Sequence, residues 1–414
     1  MTRPRFWIAA SIFLALGVGA AGAQDLNKLI AELLEKNPAI RAARLGVDSR
    51  RALVTAARTL PDPTVSFETM GNLLPPTLQA GDPSSARVLR FSQEIPFPGK
   101  LDLQGQIASV DADSEMWRYE QARRDAIAEL KMAYYDLFLA QRLTEVLGKS
   151  RELLQQFVDI SEAQYRVGKG TQQDLLKARV ESTRLLDRLA VLERERDTAQ
   201  TRINILLRRP PDSVLERLPE IPVPKLDYTL DQLYLKALEN DPLVCIGRRE
   251  IHKGELGVSI AKKSAYPDFE IGFFYFNRRD LPEMYGIMAK AAIPLYFWRK
   301  QRPGLESATA GLLQQRHQYE NTLSTLYLRL KDPFLRAKTD THLLELYSGA
   351  IVPQANLALE SAITGYRVGK VDFLTLLSSQ NTVLEYEMKY HEALADCCKA
   401  LAAIEAVVGE VLMP

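Results

Sequence analysis

Metal ligation and nucleophilic attack would fall to histidine and cysteine in this chain, and it has few of either. His252, His317, His342 and His391 lie far apart, and none shows a spacing such as His-x-x-x-His, which sets two imidazoles on one helix face. Cys245 stands alone. Cys397 and Cys398 are adjacent, so they cannot easily bridge each other within a helix, and no ligands flank them for a metal. Cys397 falls on an apolar seam and is expected as a core thiol, whereas Cys398, one position on, is free to face outward. Residues 168–174 (GKGTQQD) lack the phosphate-loop spacing. The expectation is a chain with no catalytic residues, no cofactor and no metal site.

What recurs instead is a pentapeptide. Tyr165-Arg166-Val167-Gly168-Lys169, followed by Gly170, returns as Tyr366-Arg367-Val368-Gly369-Lys370, 201 residues on (366 − 165). Each copy comes late in a long helical run. Gly168 and Gly369 stand where a helix should stop, because glycine tolerates the left-handed conformation just past a helix end. Thr171 and Asp372 follow these glycines by three, and both are strong N-cap types. Thr171 with Asp174 also resembles a capping box. Each copy is therefore a reversal between two long antiparallel helices. Capping accounts for the glycines, the threonine and the aspartate. It does not account for identical tyrosine, arginine, valine and lysine on an exposed reversal, so Tyr165–Gly170 and Tyr366–Lys370 are candidates for contact with a partner.

Two such tips require two copies of a larger unit. Asn37-Pro38 and Asp241-Pro242 each precede a helical stretch, 204 apart (242 − 38). Pro61-Asp62 and Pro267-Asp268 each open a strand-like stretch, 206 apart (267 − 61), and Ile95-Pro96 and Ile293-Pro294 each close one, 198 apart (294 − 96). Similar marks in one order at a near-constant offset indicate an internal duplication. Each repeat predicts a helix (26–59, 229–264), a strand pair (63–71 with 86–95, 268–277 with 285–294), a very long helical segment (101–166, 301–367) and a return helix (171–207, 372–411). The first repeat then spans 24–207, with its strand pair within 63–95 and its hairpin at 101–207. A proline-rich joint covers 208–228. The second repeat spans 229–414, with strands within 268–294 and a hairpin at 301–411. In the return helices, Leu175, Ala178, Ser182, Leu185, Leu189, Leu192 and Arg196 step by threes and fours, as do Val383, Glu387, Tyr390, Leu394, Cys397 and Leu401. Alternating steps keep one seam on one side, as helix-on-helix packing requires. A helix over 101–166 would be ~100 Å long, which no compact domain needs. Pro333 and Pro353 are expected to kink the second long helix rather than end it.

Arg3 and Arg5, an apolar stretch from Phe6 to Val18 and the small residues Ala21-Gly22-Ala23 make 1–23 a secretory signal peptide. With 53 basic and 52 acidic side chains the formal charge is +1, which leaves no basic field for nucleic acid. No later run of 18 or more apolar residues occurs, so a membrane could be crossed only by strands. The strands do alternate: Phe269, Ile271, Phe273 and Tyr275 oppose Glu270 and Gly272, Leu89 and Phe91 oppose Arg90 and Ser92, and Val65 and Phe67 oppose Ser66 and Glu68. Their lengths suit transmembrane strands of about 9–11 residues. Tyr275, Tyr285, Tyr296, Phe297 and Trp298 cluster at the ends, as an interfacial girdle would. A soluble four-stranded sheet with one apolar face is the other reading of these strands. In lipid, four strands leave unpaired edges, and single-chain barrels start at eight strands, so several copies would have to share one barrel.

The duplicated Tyr165-Arg166-Val167-Gly168 and Tyr366-Arg367-Val368-Gly369, with Leu60-Pro61-Asp62-Pro63 opening the first strand, resemble the outer-membrane efflux proteins, the TolC-like outer membrane factors. Gln93-Glu94-Ile95-Pro96-Phe97-Pro98-Gly99-Lys100 resembles the strand exit of their heavy-metal-efflux branch. The resemblance covers essentially the whole mature chain. It implies a mixed α/β membrane protein with long antiparallel coiled-coil hairpins and four transmembrane strands per chain. A homotrimer would form a twelve-stranded barrel in the outer membrane of a Gram-negative bacterium, continuing into a helical barrel in the periplasm. The Val-Gly tips would meet a periplasmic adaptor joined to an inner-membrane pump, with metal cations as a possible cargo and no enzyme activity. The family's entrance is often narrowed by acids after the second tip; the corresponding positions here are Thr375 and Ser378, and only the first tip keeps an acid, Asp174. A soluble periplasmic coiled-coil adaptor or scaffold is the alternative, and it leaves the aromatic-flanked strand pairs without a purpose.

Overall fold

The computed structural model describes residues 26–73, 76–168 and 170–412; the signal-peptide expectation for 1–23 and the candidate Lys169 lie outside the described residues. The first repeat runs α1 (Leu26–Lys36), α2 (Pro38–Arg58), β1 (Thr64–Met70), a small ladder of β2 (Asn72–Leu73) with β3 (Pro76–Thr77), β4 (Ala86–Ile95), α3 (Lys100–Arg166) and α4 (Gln172–Leu206). The second runs α5 (Leu230–Asn240), α6 (Pro242–Lys263), β5 (Asp268–Asn277), β6 (Met284–Ala292), α7 (Gln301–Leu346), a π-helical turn (Tyr347–Ile351), α8 (Val352–Arg367) and α9 (Phe373–Val408).

Each repeat opens with two helices where one was expected. The break falls before a proline, which disfavours helical geometry in the preceding residue and itself suits the first helical position. Asn37 is extended, and its Oδ1 accepts from the amides of Ala39 (2.9 Å) and Ile40 (3.3 Å). Asp241 caps α6 in the same way through Leu243 (3.0 Å) and Val244 (3.1 Å). The two proline kinks expected in the second long helix also differ from each other. α7 continues through Pro333. Before Pro353, the ladder widens to a π turn. A proline has no N–H to donate and crowds the carbonyl four residues back, and a wider turn relieves both.

The four long strands form one antiparallel sheet in the order β1-β4-β5-β6. Its register aligns Val65, Phe91, Phe273 and Ile287 in one row and Phe67, Leu89, Tyr275 and Tyr285 in the next. Val65, Phe67, Leu89, Phe91, Phe273 and Ile287 are all exposed, so a continuous apolar face lies open. The opposite face carries Arg90 against Glu68 (3.7 Å), Lys290 against Glu270 (3.0 Å) and the hydroxyls of Thr64 and Ser92 at 2.8 Å. A soluble sheet would hide the apolar side and wet the polar one; here the apolar side faces out.

The helices pack around α3. Near the sheet, α3 packs against α2 and α6, and farther along it packs against α4 and α9, with α9 in turn on α7 and α8. Two apolar cores follow, one around Leu130, Phe138, Ile203 and Leu401, the other around Leu147, Phe157, Leu185 and Leu376. Burying each such side chain contributes about 1.5–3 kcal/mol. In α4 the seam residues Leu175, Ala178, Leu185 and Leu192 are buried, but Arg196 is exposed and pairs with Asp197. The proline-rich joint is strapped to α3 and α4. Leu215 and Leu218 enter the first core, the Leu218 amide donates to Gln141 Oε1 (2.9 Å), and Asn204 Nδ2 donates to the carbonyls of Pro211 (2.9 Å) and Ser213 (2.7 Å).

One ion pair is sealed in the core: Lys131 of α3 with Glu405 of α9. The second Glu405 oxygen accepts from the Leu412 amide at 2.7 Å, which ties down the C-terminal segment. Removing one partner of a buried pair strands the other charge, at a cost of about 3–5 kcal/mol. Lys131→Met is therefore expected to lower the thermal midpoint read by far-UV circular dichroism, and adding Glu405→Met should recover part of the loss. An unchanged midpoint in the single variant would contradict this role.

Candidate functional site

The reversals at the two helix tips share one backbone. Gly168 has φ 71° and Gly369 φ 73°, and a Cβ at either would meet nothing within 4 Å, so it is the left-handed conformation, not space, that selects glycine. The Gly168 amide donates to the Tyr165 carbonyl (3.0 Å) and the Gly170 amide to Gln164 (3.0 Å). In the second copy Gly369 donates to Tyr366 (3.1 Å) and Lys370 to Gly365 (2.9 Å). These bonds satisfy the last carbonyls of α3 and α8.

The return helices are then capped. Thr171 Oγ1 accepts from the Asp174 amide (3.2 Å), and Asp174 Oδ2 accepts from the Thr171 amide (3.4 Å), a reciprocal box. At the second tip Asp372 Oδ1 accepts from the Thr375 amide at 3.2 Å. Hydrogen bonds from the Thr375 hydroxyl and amide hold the Asp372 carboxyl below its ordinary pKa, and Lys177 of the other hairpin adds attraction. Three residues past the caps only Asp174 is an acid, and the carboxylate of the second tip is the cap Asp372 itself. Threonine and aspartate have exchanged places: Thr171 caps with Asp174 three residues on, while Asp372 caps with Thr375 three residues on. Each tip carries one carboxylate. Thr375 and Ser378 are both exposed on the first turns of α9.

The side chains of the pentapeptides do not match as closely. Val167 and Val368 are 68% and 64% exposed at the apices. Arg166 and Arg367 are exposed, and Arg166 is held by Glu162 at 2.5 Å. Lys370 is exposed. Tyr165 is 45% exposed, but Tyr366, expected beside it among the surface contacts, is only 6% exposed. Its ring packs against Phe373 with centroids 5.8 Å apart, and its hydroxyl lies 3.3 Å from Ser161 Oγ. The reason is legible in the neighbours, because the position matching Phe373 in the first repeat is Gln172, which offers no ring to pack on (373 − 201 = 172).

The residues with intrinsic chemistry are elsewhere. Cys397 and Cys398 are both buried, so the outward-facing Cys398 expected from helix spacing is corrected. α9 packs on both α3 and α7, so the adjacent Cys397 and Cys398 are each covered, while Asp396 takes the side left open. Burial pushes the Cys398 thiol up to about 12 and raises that of Cys397, so neither forms a thiolate readily. Burial, with Arg142 close by, holds His391 below its ordinary pKa. His317 pairs with Glu320 on the α7 surface at 3.0 Å. Among the described residues no group of three or more histidine, cysteine, aspartate or glutamate side chains is placed to hold a metal ion, and no helix is long and apolar enough to cross a membrane.

The family model for outer membrane efflux proteins matches the chain twice, over residues 29–207 and 233–410, one match per repeat. The chain is 21% identical over 398 residues to the cobalt-zinc-cadmium resistance protein CzcC of Cupriavidus metallidurans, covering 94% of this chain and 91% of that one. Its fold is similar to the outer-membrane channel OprN (TM-score 0.80, 19% identity, 94% of this chain and 91% of that one). It is likewise similar to the outer membrane protein VceC of Vibrio cholerae (TM-score 0.79, 17% identity, 94% and 96%).

The tyrosine asymmetry has a measurable consequence. Removing a packed aromatic ring typically costs about 3–5 kcal/mol, whereas surface substitutions stay within about 0.5 kcal/mol. Tyr366→Ala should lower the thermal midpoint clearly and Tyr165→Ala should hardly move it. Equal shifts would mean that the two tips are packed alike.

Proposed function

This chain belongs to the outer membrane efflux protein family, and from its geometry we propose that three copies build one conduit from the periplasm to the exterior. It is an outer-membrane efflux channel with its helices on the periplasmic side. Transport through it is passive, with the energy supplied by an inner-membrane pump and the connection made by a periplasmic adaptor at the tips. The observation that carries the reading is the sheet, whose apolar rows face outward and whose edge strands β1 and β6 each keep one side unpaired among the described residues. Three copies give twelve strands, enough to close a barrel. A soluble scaffold would hold Val65, Phe67, Phe91 and Ile287 in water.

The helices support the same assembly. α4 presents Leu176, Val180 and Val191, and the α7–α8 side presents Leu328, Leu335, Leu346 and Leu357, all exposed in the single chain. Spacings of seven and eleven keep Leu328, Leu335 and Leu346 on one side of α7, and Leu357 follows on α8 beyond the π turn. These two sides close on each other between neighbouring copies. Each copy then sets two tips at the entrance, where Tyr165, Arg166, Val167, Arg367, Val368 and Lys370, with Lys169, are offered to the adaptor. Asp372 contacts Thr375 on the same first turns of α9 as Ser378, and Asp174 holds its carboxylate on the first turn of α4. A doubled set of acids suits a cation pathway, and divalent metal cations are the favoured substrate, in keeping with the Cupriavidus relative's name as a cobalt-zinc-cadmium resistance protein.

Proline fixes φ near −65° and cannot take the conformation of either tip glycine. Gly168→Pro or Gly369→Pro is expected to abolish efflux while a heat-modifiable trimer still reaches the outer membrane. A freely soluble wild-type monomer would sink the channel, and normal efflux in both variants would remove the tips from adaptor docking. In planar-bilayer recordings, Asp174→Ala and Asp372→Ala should each reduce preference for cations over anions more than Thr375→Ala does. Equal effects of all three would take the carboxylates out of the entrance.

A further inference from the structure

The outward apolar band of β6 continues past the end of the strand. Ile293, Leu295, Tyr296, Phe297 and Trp298 are each more than half exposed. They are not a loose coil. The Arg299 and Lys300 amides donate to the Tyr296 carbonyl (2.9 and 3.0 Å), and the Arg302 amide donates to Phe297 (2.8 Å). The Trp298 ring stands edge-on to both Phe297 (5.1 Å) and Tyr296 (6.3 Å). A hydrogen-bonded turn thus holds three aromatic rings outward, and Arg299 and Lys300 follow at once, both exposed and without an ion-pair partner among the described residues. Arg302, next in line, is shared with Glu306 at 3.2 Å.

The matching exit of the first repeat is built the other way. Phe97 is stacked on Tyr266 at 4.5 Å, Lys100 is bound to Asp268 at 2.8 Å, and Lys263 donates to the Pro98 carbonyl at 3.0 Å with its ammonium over the Phe97 ring. Its rings and cations are satisfied within the chain. Those of the second exit are not, and nothing in helix packing or strand pairing asks for them to be exposed.

We propose that the turn at 293–300 binds the headgroup of an anionic phospholipid in the periplasmic leaflet. The reading rests on the sheet lying in the outer membrane with its helix-bearing end toward the periplasm. Continuity with the lipid-facing rows puts Ile293 and Leu295 against acyl chains. Tyr296, Phe297 and Trp298 then lie at the level of the glycerol backbone, where amphipathic rings are favoured. Arg299 and Lys300 come one step farther out, level with the phosphodiester. Cations there favour a headgroup with net negative charge over a zwitterionic one, whose own ammonium competes for the phosphate. Each copy has one such turn, so lipid is bound once per subunit rather than evenly around the barrel.

The full chain carrying Trp7→Phe and Trp117→Phe keeps Trp298 as its only tryptophan. It is reconstituted into vesicles holding equal mole fractions of brominated phosphatidylglycerol or brominated phosphatidylethanolamine, and quenching of Trp298 is measured. Phosphatidylglycerol should quench at least about twofold more strongly, in line with a preference of about fivefold per nearby cation. Adding Arg299→Gln and Lys300→Gln should bring the two lipids to equality, whereas Arg188→Gln on the distant α4 surface should leave the preference intact. Equal quenching without the glutamines, or a preference that survives them, overturns the proposal. So does an absence of quenching in inserted protein, which would mean that a neighbouring copy covers the turn. Failure to insert, read as flotation without protease protection, would count against the membrane reading as well, whereas loss of lipid preference alone leaves that reading standing.

Discussion

Backbone N–H and C=O groups cannot be left unpaired in hydrocarbon, where each costs several kcal/mol. That constraint governs the rest of this molecule. The sheet puts its apolar rows outward and its ion pairs on the other side, so it is made for lipid outside and water inside. Yet, among the described residues, the outer sides of β1 and β6 are open edges. A sheet of this kind set in lipid calls for another edge of matching register, which in the proposed assembly a neighbouring copy supplies. Short ladders such as β2 with β3 do not help, because they stand outside the four-stranded sheet.

The helical part is built for the same closure. α3 carries both cores along its length, and α2, α6, α4 and α9 take their places against it. Close to the sheet each chain contributes α2, α3, α6 and α7; near the tips it contributes α3, α4, α8 and α9. Four helices at either level keep step with four strands, so the proposed barrel can pass from sheet to helix without changing its count. The Lys131–Glu405 pair sits between these levels, where α3 meets α9. A buried pair there adds little net stability, but it penalises any sliding of one helix along the other, since displacement would separate the charges.

Much of this was legible in the sequence because duplication marks itself. Prolines at matched offsets located the starts of the second helices and the ends of the strands, and period-two alternation located the strands. The breaks at Asn37 and Asp241 show in the sequence only as a cap residue before a proline, a mark that a reading as one helix per repeat runs across. The π turn before Pro353 was not legible, since a proline requires only that its ladder be disturbed and does not say how. Cys398 was misplaced because a seam argument supposes one partner helix, and α9 has two. Tyr366 was misplaced because identical pentapeptides suggest identical surroundings. The difference lies in Phe373 and Ser161, one distant by a turn and the other by a helix length of packing, and neither belongs to the repeated motif.

That last difference bears on how the two tips of one chain could serve the docking proposed for them, at six positions in a trimer. The backbones agree closely enough to present valine at each apex and one carboxylate behind it. The second tip is anchored by a buried tyrosine, while the first relies on its capping box and on Glu162 holding Arg166. Ordering a tip on contact costs conformational entropy, and the tip already packed loses less of it. The tips are therefore equivalent in shape but not in stiffness. A partner that binds both would gain register from the stiff one and adaptability from the soft one, an asymmetry that a ring of six identical tips could not provide.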